Sequence, residues 1–344
     1  MTAAPVVSVI IPTRNRAHLL KDCLAAILSQ TPSVPFEVVV ADNASDDETP
    51  RMLRDWSANE SRLRPIREDE LGRSAALVAG MRTARGSILV FTDDDVLVSP
   101  DWIESYAVFF ERHPGPVLAG GPILPAPLDG RWPDWFSTVA AAALGGVTHD
   151  AERFLDPTEW VWGANMAARS ELFERFGGWG RDLGVRDQSR PSAMEPDRYE
   201  DTEMQQRVRA LGGEVWFCPD ASLSHRSAVP GPRDCLARGF ANGRNSYRRP
   251  PAPGVPTDRR RGARSLRTAL ALAGTLVRLM AWCAVLRVRT TRRPFERAWL
   301  AAWRSGWRME DLLSDGAHDR FDRGVRAATR RWTLAAERIA PATG

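Results

Sequence analysis

The stretch V-S-V-I-I-P-T-R-N-R at residues 7–16 decides the reading of the fold. Residues 6–11 form a mostly β-branched apolar run interrupted only by Ser8, and 12–15 are polar apart from the proline. Apolar residues without alternation fit a strand buried on both faces of a sheet. Leu19, Leu20, Cys23, Leu24, Ile27 and Leu28 then recur at helical spacing, which predicts a helix over about 16–29 with Asn15 as its cap. The same alternation continues downstream. Residues 36–41 read as a second buried strand, followed by D-N-A-S-D-D-E-T at 42–49 and a helix to about 59. Residues 64–68 read as a weaker strand, 72–85 as a helix, and 88–92 as a strand that ends in Asp93-Asp94-Asp95. A helix over 99–112 starts at Ser99-Pro100-Asp101, and residues 117–121 close this half. Strands alternating with helices predict an α/β fold with a mostly parallel, doubly wound sheet. Ligands of such sheets sit beyond the carboxyl ends of the strands. The clusters at 12–15, 42–49 and 93–95 are therefore expected to converge on one cleft.

The downstream half is less regular. The proline-rich residues 122–133 read as a loop, 160–165 as the lead into a helix near 170–176, and 177–196 as a long polar loop. Residues 200–211 read as a helix, and 215–218 and 223–225 as short strands.

Three adjacent acids repel one another unless a cation or solvent relieves them. Magnesium and manganese take oxygen ligands and share substrate phosphates. Asp93-Asp94-Asp95 therefore suits a metal that bridges to a diphosphate, where Lewis-acid neutralisation would help a nucleotide depart; a solvated acidic turn is the alternative. Asp42 stands where an acid can accept from a ribose hydroxyl or a base N–H. The acids at 46–48 read as helix-capping residues. Glu200 and Asp201 open a helix; as a pair they offer a base, although acids are common at helix starts. His225 follows a short strand, and a lone histidine is more often structural than a ligand. Trp160, Trp162 and Trp179 lie beside glycines, as core residues or as sugar-stacking platforms.

Together these pieces resemble glycosyltransferase family 2, the inverting enzymes of the GT-A fold. The match is carried by V-S-V-I-I-P-T-R-N-R (7–16), V-V-V-A-D-N-A-S-D-D-E-T (38–49), G-R-S-A-A-L-V-A-G (72–80), F-T-D-D-D (91–95), W-G-A-N-M-A-A-R (162–169), Y-E-D-T-E (199–203) and His225. The resemblance implies a Rossmann-like, mostly parallel sheet flanked by helices, with a helical C-terminal appendage. It implies a transfer of one sugar from a nucleotide-diphosphate sugar, UDP by default, with Mn2+ or Mg2+ as cofactor. Pro12, Thr13 and Arg14 would line the nucleotide pocket, Asp42 would meet the base or ribose, and Arg73 the ribose or diphosphate. Asp93 and Asp95 would hold the metal, with His225 completing its shell and Asp94 adding a donor contact. Asp201 would be the catalytic base beside Glu200, and Trp162, Gly163 and Asn165 would line the sugar and acceptor side. Two departures stand out. Leu77 and Val78 occupy positions where the family often has arginine and asparagine, and no Q-x-x-R-W follows the E-D pair, which argues against a processive polymer synthase.

The 344 residues allow one large domain or one domain with an appendage. Residues 1–243 are expected to form the catalytic domain, with a nucleotide half over 1–121 and an acceptor half over 122–243. A basic, proline-rich linker (244–264) and a helical region (265–344) follow. Lys21 is the sole lysine, so arginine supplies every other cation. Four scattered cysteines without a C-x-x-C pair argue against a zinc or redox motif and fit a reducing compartment. No secretory leader is expected, because 6–11 is too short and lacks a basic region before it. The expected location is the cytoplasm. Residues 265–313 carry Trp282, Trp299, Trp303 and Trp307 among arginines. This suits a helix in an anionic membrane interface on the inner face; a helical pair packed on the catalytic domain, or a dimer contact, is the alternative. Arg278 disfavours a spanning helix. No nucleic-acid partner is expected. The absence of G-x-G-x-x-G after the first strand argues against a dinucleotide dehydrogenase. The remaining rival is a catalytically degenerate GT-A protein that binds sugar or serves as a scaffold.

Overall fold

A computed structural model describes residues 3–128, 131–132, 136, 141, 145–157, 159–177 and 200–227. The expectations for 178–196, 244–264 and 265–344, including the membrane-interface reading, fall outside the described residues. Among the described residues no helix is long and apolar enough to cross a membrane. The chain divides into two compact units. One comprises Met1–Ala126, Val147–Pro191 and Asp197–Arg226, and it holds every residue discussed below as part of a site. The other comprises Pro127–Gly146, Ser192–Pro196 and Ser227–Gly344.

The first unit opens with β1 (Val7–Thr13), α1 (Ala17–Leu28), β2 (Phe36–Asp42), α2 (Thr49–Ser57), β3 (Leu63–Arg67), α3 (Arg73–Thr83) and β4 (Ile88–Thr92). These strands lie in the order β3-β2-β1-β4, all parallel. β1 and β2 are buried at every position, which is why they read as apolar runs rather than alternating ones. The chain winds outward from β1 to β3 and then returns to the other side of β1 to lay down β4. The strand order therefore reverses between β1 and β4, and the crevice beyond their carboxyl ends is where such sheets bind ligands.

β5 (Val96–Val98), α4 (Trp102–Arg112), β6 (Val117–Gly120), β7 (Ile123–Pro127), β8 (Arg153–Phe154) and β9 (Asn165–Arg169) come next. α5 (Ser170–Phe176), α6 (Glu200–Ala210), β10 (Glu214–Phe217) and β11 (Leu223–Ser227) complete the described chain. The large sheet continues as β4-β9-β6-β10-β8. β9 runs antiparallel to both neighbours, whereas β6 and β10 are parallel to each other.

The helix expected near 170–176 is present, but residues 165–169 before it, for which no strand was expected, form a central strand, although N-M-A-A-R has no β-branched residue and its alanines favour helix. Complete burial of Met166, Ala167 and Ala168 between β4 and β6 outweighs that local preference. Within the proline-rich 122–133, residues 123–127 are β7, in a second sheet of order β5-β11-β7. In that sheet His225 pairs with Val96, so the strand that follows the acidic triplet is laid against the strand that carries the histidine.

At the amino ends of the parallel strands, Glu37 is buried to 2% side-chain exposure. Its Oε1 accepts from Ser8 Oγ at 2.7 Å, and its Oε2 accepts from Arg64 at 2.8 Å and Arg85 Nη2 at 2.6 Å. Ser8 Oγ in turn accepts from Gly86 N at 2.8 Å, so the α3–β4 connection is tied to the sheet. Burial alone would raise the Glu37 pKa, but the bonds from Arg85, Ser8 and Arg64 more than offset it and hold the carboxyl at about 2 against an ordinary 4.5. A depressed folded-state pKa contributes stability that is complete above the ordinary value and disappears as pH falls through the folded value. Glu37→Gln is therefore expected to lose about 2 kcal/mol near neutrality. The wild-type advantage should shrink between pH 4.5 and about 2 in urea titrations across that range.

Candidate active site

The carboxyl ends of β1 and β4 meet through charge. Thr13 Oγ1 donates to Asp94 Oδ2 at 2.7 Å. Arg16 spans two acids, with Nη1 2.9 Å from Asp94 Oδ1 and Nη2 2.5 Å from Asp95 Oδ2. Asp94 is thus directed into the β1 loop, with both oxygens engaged. Burial pushes its carboxyl above the usual range against the pull of Arg16. Burial would also raise Asp95, but His225 and Arg16 outweigh it and hold Asp95 well below that range. Arg16 was not singled out in the sequence reading. The signal for it was the need of three adjacent acids for a nearby cation.

The loops after β1, β2 and β3 knit the same side together. Arg14 donates to the Asn43 carbonyl at 3.1 Å. Asn43 Nδ2 donates to the carbonyls of Glu68 and Glu70, and its Oδ1 accepts from Gly72 N. Asp42 Oδ1 accepts from Ser45 N at 3.0 Å, and Arg67 lies 3.7 Å from its other oxygen. Pro12 stays within β1, paired with Ala41. Asn15 does not cap α1, contrary to expectation. It takes a left-handed backbone (φ 54°) and exchanges bonds with Ser45 and Asp46, while Asp47 accepts from Ala17 N.

The second sheet delivers His225. Ligand atoms of Asp93, Asp95 and His225 all lie within 4.8 Å of one another. His225 Nε2 is 2.9 Å from Asp95 Oδ1 and 4.0 Å from Asp93 Oδ2. Burial lowers the imidazole pKa, but contact with Asp95 and Asp93 outweighs it and the net shift is upward. Two carboxylates and an imidazole whose ligand atoms are held this close, with Asp95 Oδ1 and His225 Nε2 paired at 2.9 Å, suit ligands of a common ion. Two carboxylates and one imidazole fit manganese or magnesium and leave positions for phosphate oxygens.

Asp201 sits in the first turn of α6, and its Oδ2 accepts from Gly163 N at 3.1 Å. Beside it, Arg73 Nη2 donates to Asp93 Oδ1 at 2.7 Å. A Cβ at residue 163 would lie 3.4 Å from Arg73 Nη2 and 3.6 Å from Asp201 Cβ, so the glycine seats both side chains closely. Gln205, another residue the sequence did not flag, grips residue 161 from both sides. Its Oε1 accepts from Val161 N at 3.0 Å, and its Nε2 donates to Val161 O at 2.8 Å. The segment that carries Gly163 is thereby fastened to the helix that carries Asp201. Glu200 starts α6, and its side chain lies outside the described residues. Leu77 is fully buried and Val78 packs against the core.

Asn165 corrects another expectation. It does not line the sugar side, because it is fully buried and satisfied within the protein. Trp102 Nε1 and Tyr106 Oη donate to its Oδ1 at 2.9 and 2.8 Å, and its Nδ2 donates to the carbonyls of Pro122 and Ala221. Gly121 leaves room for this, since a Cβ there would fall 2.7 Å from Asn165 Nδ2. Trp162 is half-buried against the core, and the Arg209 guanidinium lies over Trp160, 5.1 Å from its ring centroid.

The sequence model of Glycosyl transferase family 2 matches residues 8–136, and that of Glycosyl transferase family group 2 matches residues 88–308, more than half of the chain. The chain belongs to glycosyltransferase family 2. Within the family, it is 30% identical over 206 residues to validoxylamine A glucosyltransferase of Streptomyces hygroscopicus subsp. jinggangensis, covering 52% of this chain and 48% of that one. It is 41% identical over 102 residues to glycosyltransferase AglE of Haloferax volcanii, covering 29% of this chain and 34% of the relative. The family 2 chain thus matches half or less of the length of these relatives. Among solved structures, the mannosyltransferase PcManGT of Pyrobaculum calidifontis, in complex with GDP-Man and Mn2+, superposes with a TM-score of 0.54 at 22% identity. That match covers 92% of this chain and 89% of the other. GalNAc-T7 with UDP, GalNAc and Mn2+ gives a TM-score of 0.51 at 15% identity, covering 74% and 52%. At those identities the likeness establishes the GT-A fold.

Asn165→Ala in this family 2 chain would take their partner from the buried donors of Trp102 and Tyr106 and from the Ala221 carbonyl, while the Pro122 carbonyl keeps its bond from Leu223 N. We expect a loss of about 3 kcal/mol or more, measured by chemical denaturation.

Proposed function

We propose that this chain is an inverting, divalent-metal-dependent glycosyltransferase that moves a single sugar from a nucleotide-diphosphate sugar to an acceptor hydroxyl. The observation that carries this reading is the convergence, at the β1/β4 crevice, of the Asp93–Asp95–His225 trio with Asp201 on the far side of Arg73 and Gly163. Membership of family 2 supports it. So do the GDP-Man and Mn2+ held by PcManGT and the UDP, GalNAc and Mn2+ held by GalNAc-T7.

Asp93, Asp95 and His225 would hold Mn2+ or Mg2+, which supplies Lewis-acid neutralisation of the departing nucleotide diphosphate. The loops at 12–16 and 42–45 would receive the nucleotide, with Asp42 and Arg14 on that wall. Asp94 keeps its ion pair with Arg16 and its hydrogen bond from Thr13 and so fixes the direction of its two neighbours. Asp201, steadied by the Gly163 peptide, would take the proton from the acceptor hydroxyl as that oxygen attacks C1 opposite the diphosphate. The C1–O bond to the acceptor forms as the C1–O bond to phosphate breaks, so configuration inverts in one displacement. Trp162 and Gly163 lie on the acceptor side of this arrangement.

The test is a panel of UDP-, GDP- and dTDP-sugars with manganese, magnesium or EDTA, in which nucleotide release and thermal shift are read. Release with one donor, abolished by EDTA and by Asp95→Ala, is expected. Asp201→Asn should lower kcat by roughly 10²–10⁴-fold with the fold intact. Well-folded protein that neither turns over nor is stabilised by any donor would sink this reading in favour of a degenerate sugar-binding scaffold.

A further inference from the structure

The acidic triplet is already partly neutralised by the chain itself. Arg16 bridges Asp94 and Asp95, and Arg73 donates to Asp93 at 2.7 Å. Three carboxylates thus have two guanidinium groups in direct contact, beside the imidazole of His225 on Asp95. The two arginines differ in what they face. Arg16 ties the acids to the β1 loop that holds them. Arg73, with 14% of its side chain exposed, reaches across the cleft from the first turn of α3. Its guanidinium lies along Gly163, where an added Cβ would stand 3.4 and 3.6 Å from its two terminal nitrogens. The N–H of that same glycine holds Asp201. Asp93 Oδ1 is occupied by Arg73, and Asp93 is one of the trio aimed at a common ion.

A dication that enters this trio must share Asp93 with a guanidinium, and two like charges a few ångströms apart oppose each other. A nucleoside diphosphate changes that balance. Its oxygens supply negative charge and metal ligands, and they match the planar fork of an arginine. We infer that Arg73 is a resident counter-cation of Asp93 that makes metal and nucleotide bind as a pair. It weakens binding of the metal alone, and it releases Asp93 to the metal when the diphosphate engages its fork. This inference rests on the proposed function and deepens it. Arg73 is then a positioning residue for Asp93, which acts through the carboxylate it holds. Coupling of this kind is reciprocal, so the metal tightens nucleotide binding by the same factor as the nucleotide tightens metal binding.

Calorimetric titration of Mn2+ into the full chain, with and without UDP, GDP or dTDP, tests this. Wild-type protein should bind Mn2+ about tenfold more tightly when its nucleotide is present. Arg73→Gln should bind Mn2+ alone about tenfold more tightly than wild type, with the enhancement by nucleotide largely gone. Arg73→Lys, which keeps the charge, should retain the weak binding of metal alone. An Arg73→Gln protein with normal thermal unfolding and unchanged or weaker affinity for Mn2+ alone would overturn the inference. A lysine variant that behaves like the glutamine variant would overturn it too. Coupling below about twofold in the wild-type protein also sinks the idea, whatever the variants do. Mn2+ binding that Asp95→Ala abolishes but Arg73→Gln leaves untouched removes this inference and spares the proposed function. No Mn2+ binding with any nucleotide removes both.

Discussion

Three carboxylates on consecutive residues at the end of a buried strand are the constraint around which this molecule is arranged. Alone they would repel one another in a place where water is scarce. The sheet accommodates them by distributing them. Asp94 turns towards β1 and is taken up by Thr13 and Arg16. Asp93 and Asp95 remain directed at the crevice, where Arg73 and His225 meet them. The parallel order β3-β2-β1-β4 makes this possible, because it places the polar end of β1 beside the acidic end of β4.

The other half of the cleft is held by hydrogen bonds of side-chain amides and backbone groups rather than by ion pairs among adjacent acids. Asn165 fills all its bonding capacity between α4, the Pro122 carbonyl and the Ala221 carbonyl. Gln205 clasps Val161, and Gly163 steadies Asp201. Buried networks that are fully satisfied rigidify their surroundings. The segment 161–165 is therefore the rigid support against which the Asp93, Asp95 and His225 trio and the acid on α6 are set.

Much of this was legible in the sequence where local pattern and final environment agree. Predominantly apolar runs without alternation marked β1, β2 and β4, despite Ser8 and Glu37 within them, because parallel strands are buried on both faces. The polar clusters at their ends marked the cleft, and Asp93, Asp95 and His225 are indeed brought together. β9 was not legible, because its alanines prefer helix and only its neighbours make it a strand. Arg16 and Gln205 were hidden for another reason. A side chain that serves by gripping a distant acid or backbone has no spacing signature of its own. Asn165 misled in the opposite sense, since a polar residue in a glycine-flanked motif can be the centre of a buried network as readily as the wall of a cleft.

The pairing of Val96 with His225 joins neighbours in space that stand far apart along the chain. β1 to β4 form their sheet through short crossovers, each closing a modest loop. β11 reaches β5 only after more than a hundred intervening residues, and contacts of that separation form late. A chain still short of β11 holds the acids and their arginines but lacks the imidazole. Among the described residues, the cluster of Asp93, Asp95 and His225 is therefore complete only once β11 has joined β5 in the second sheet.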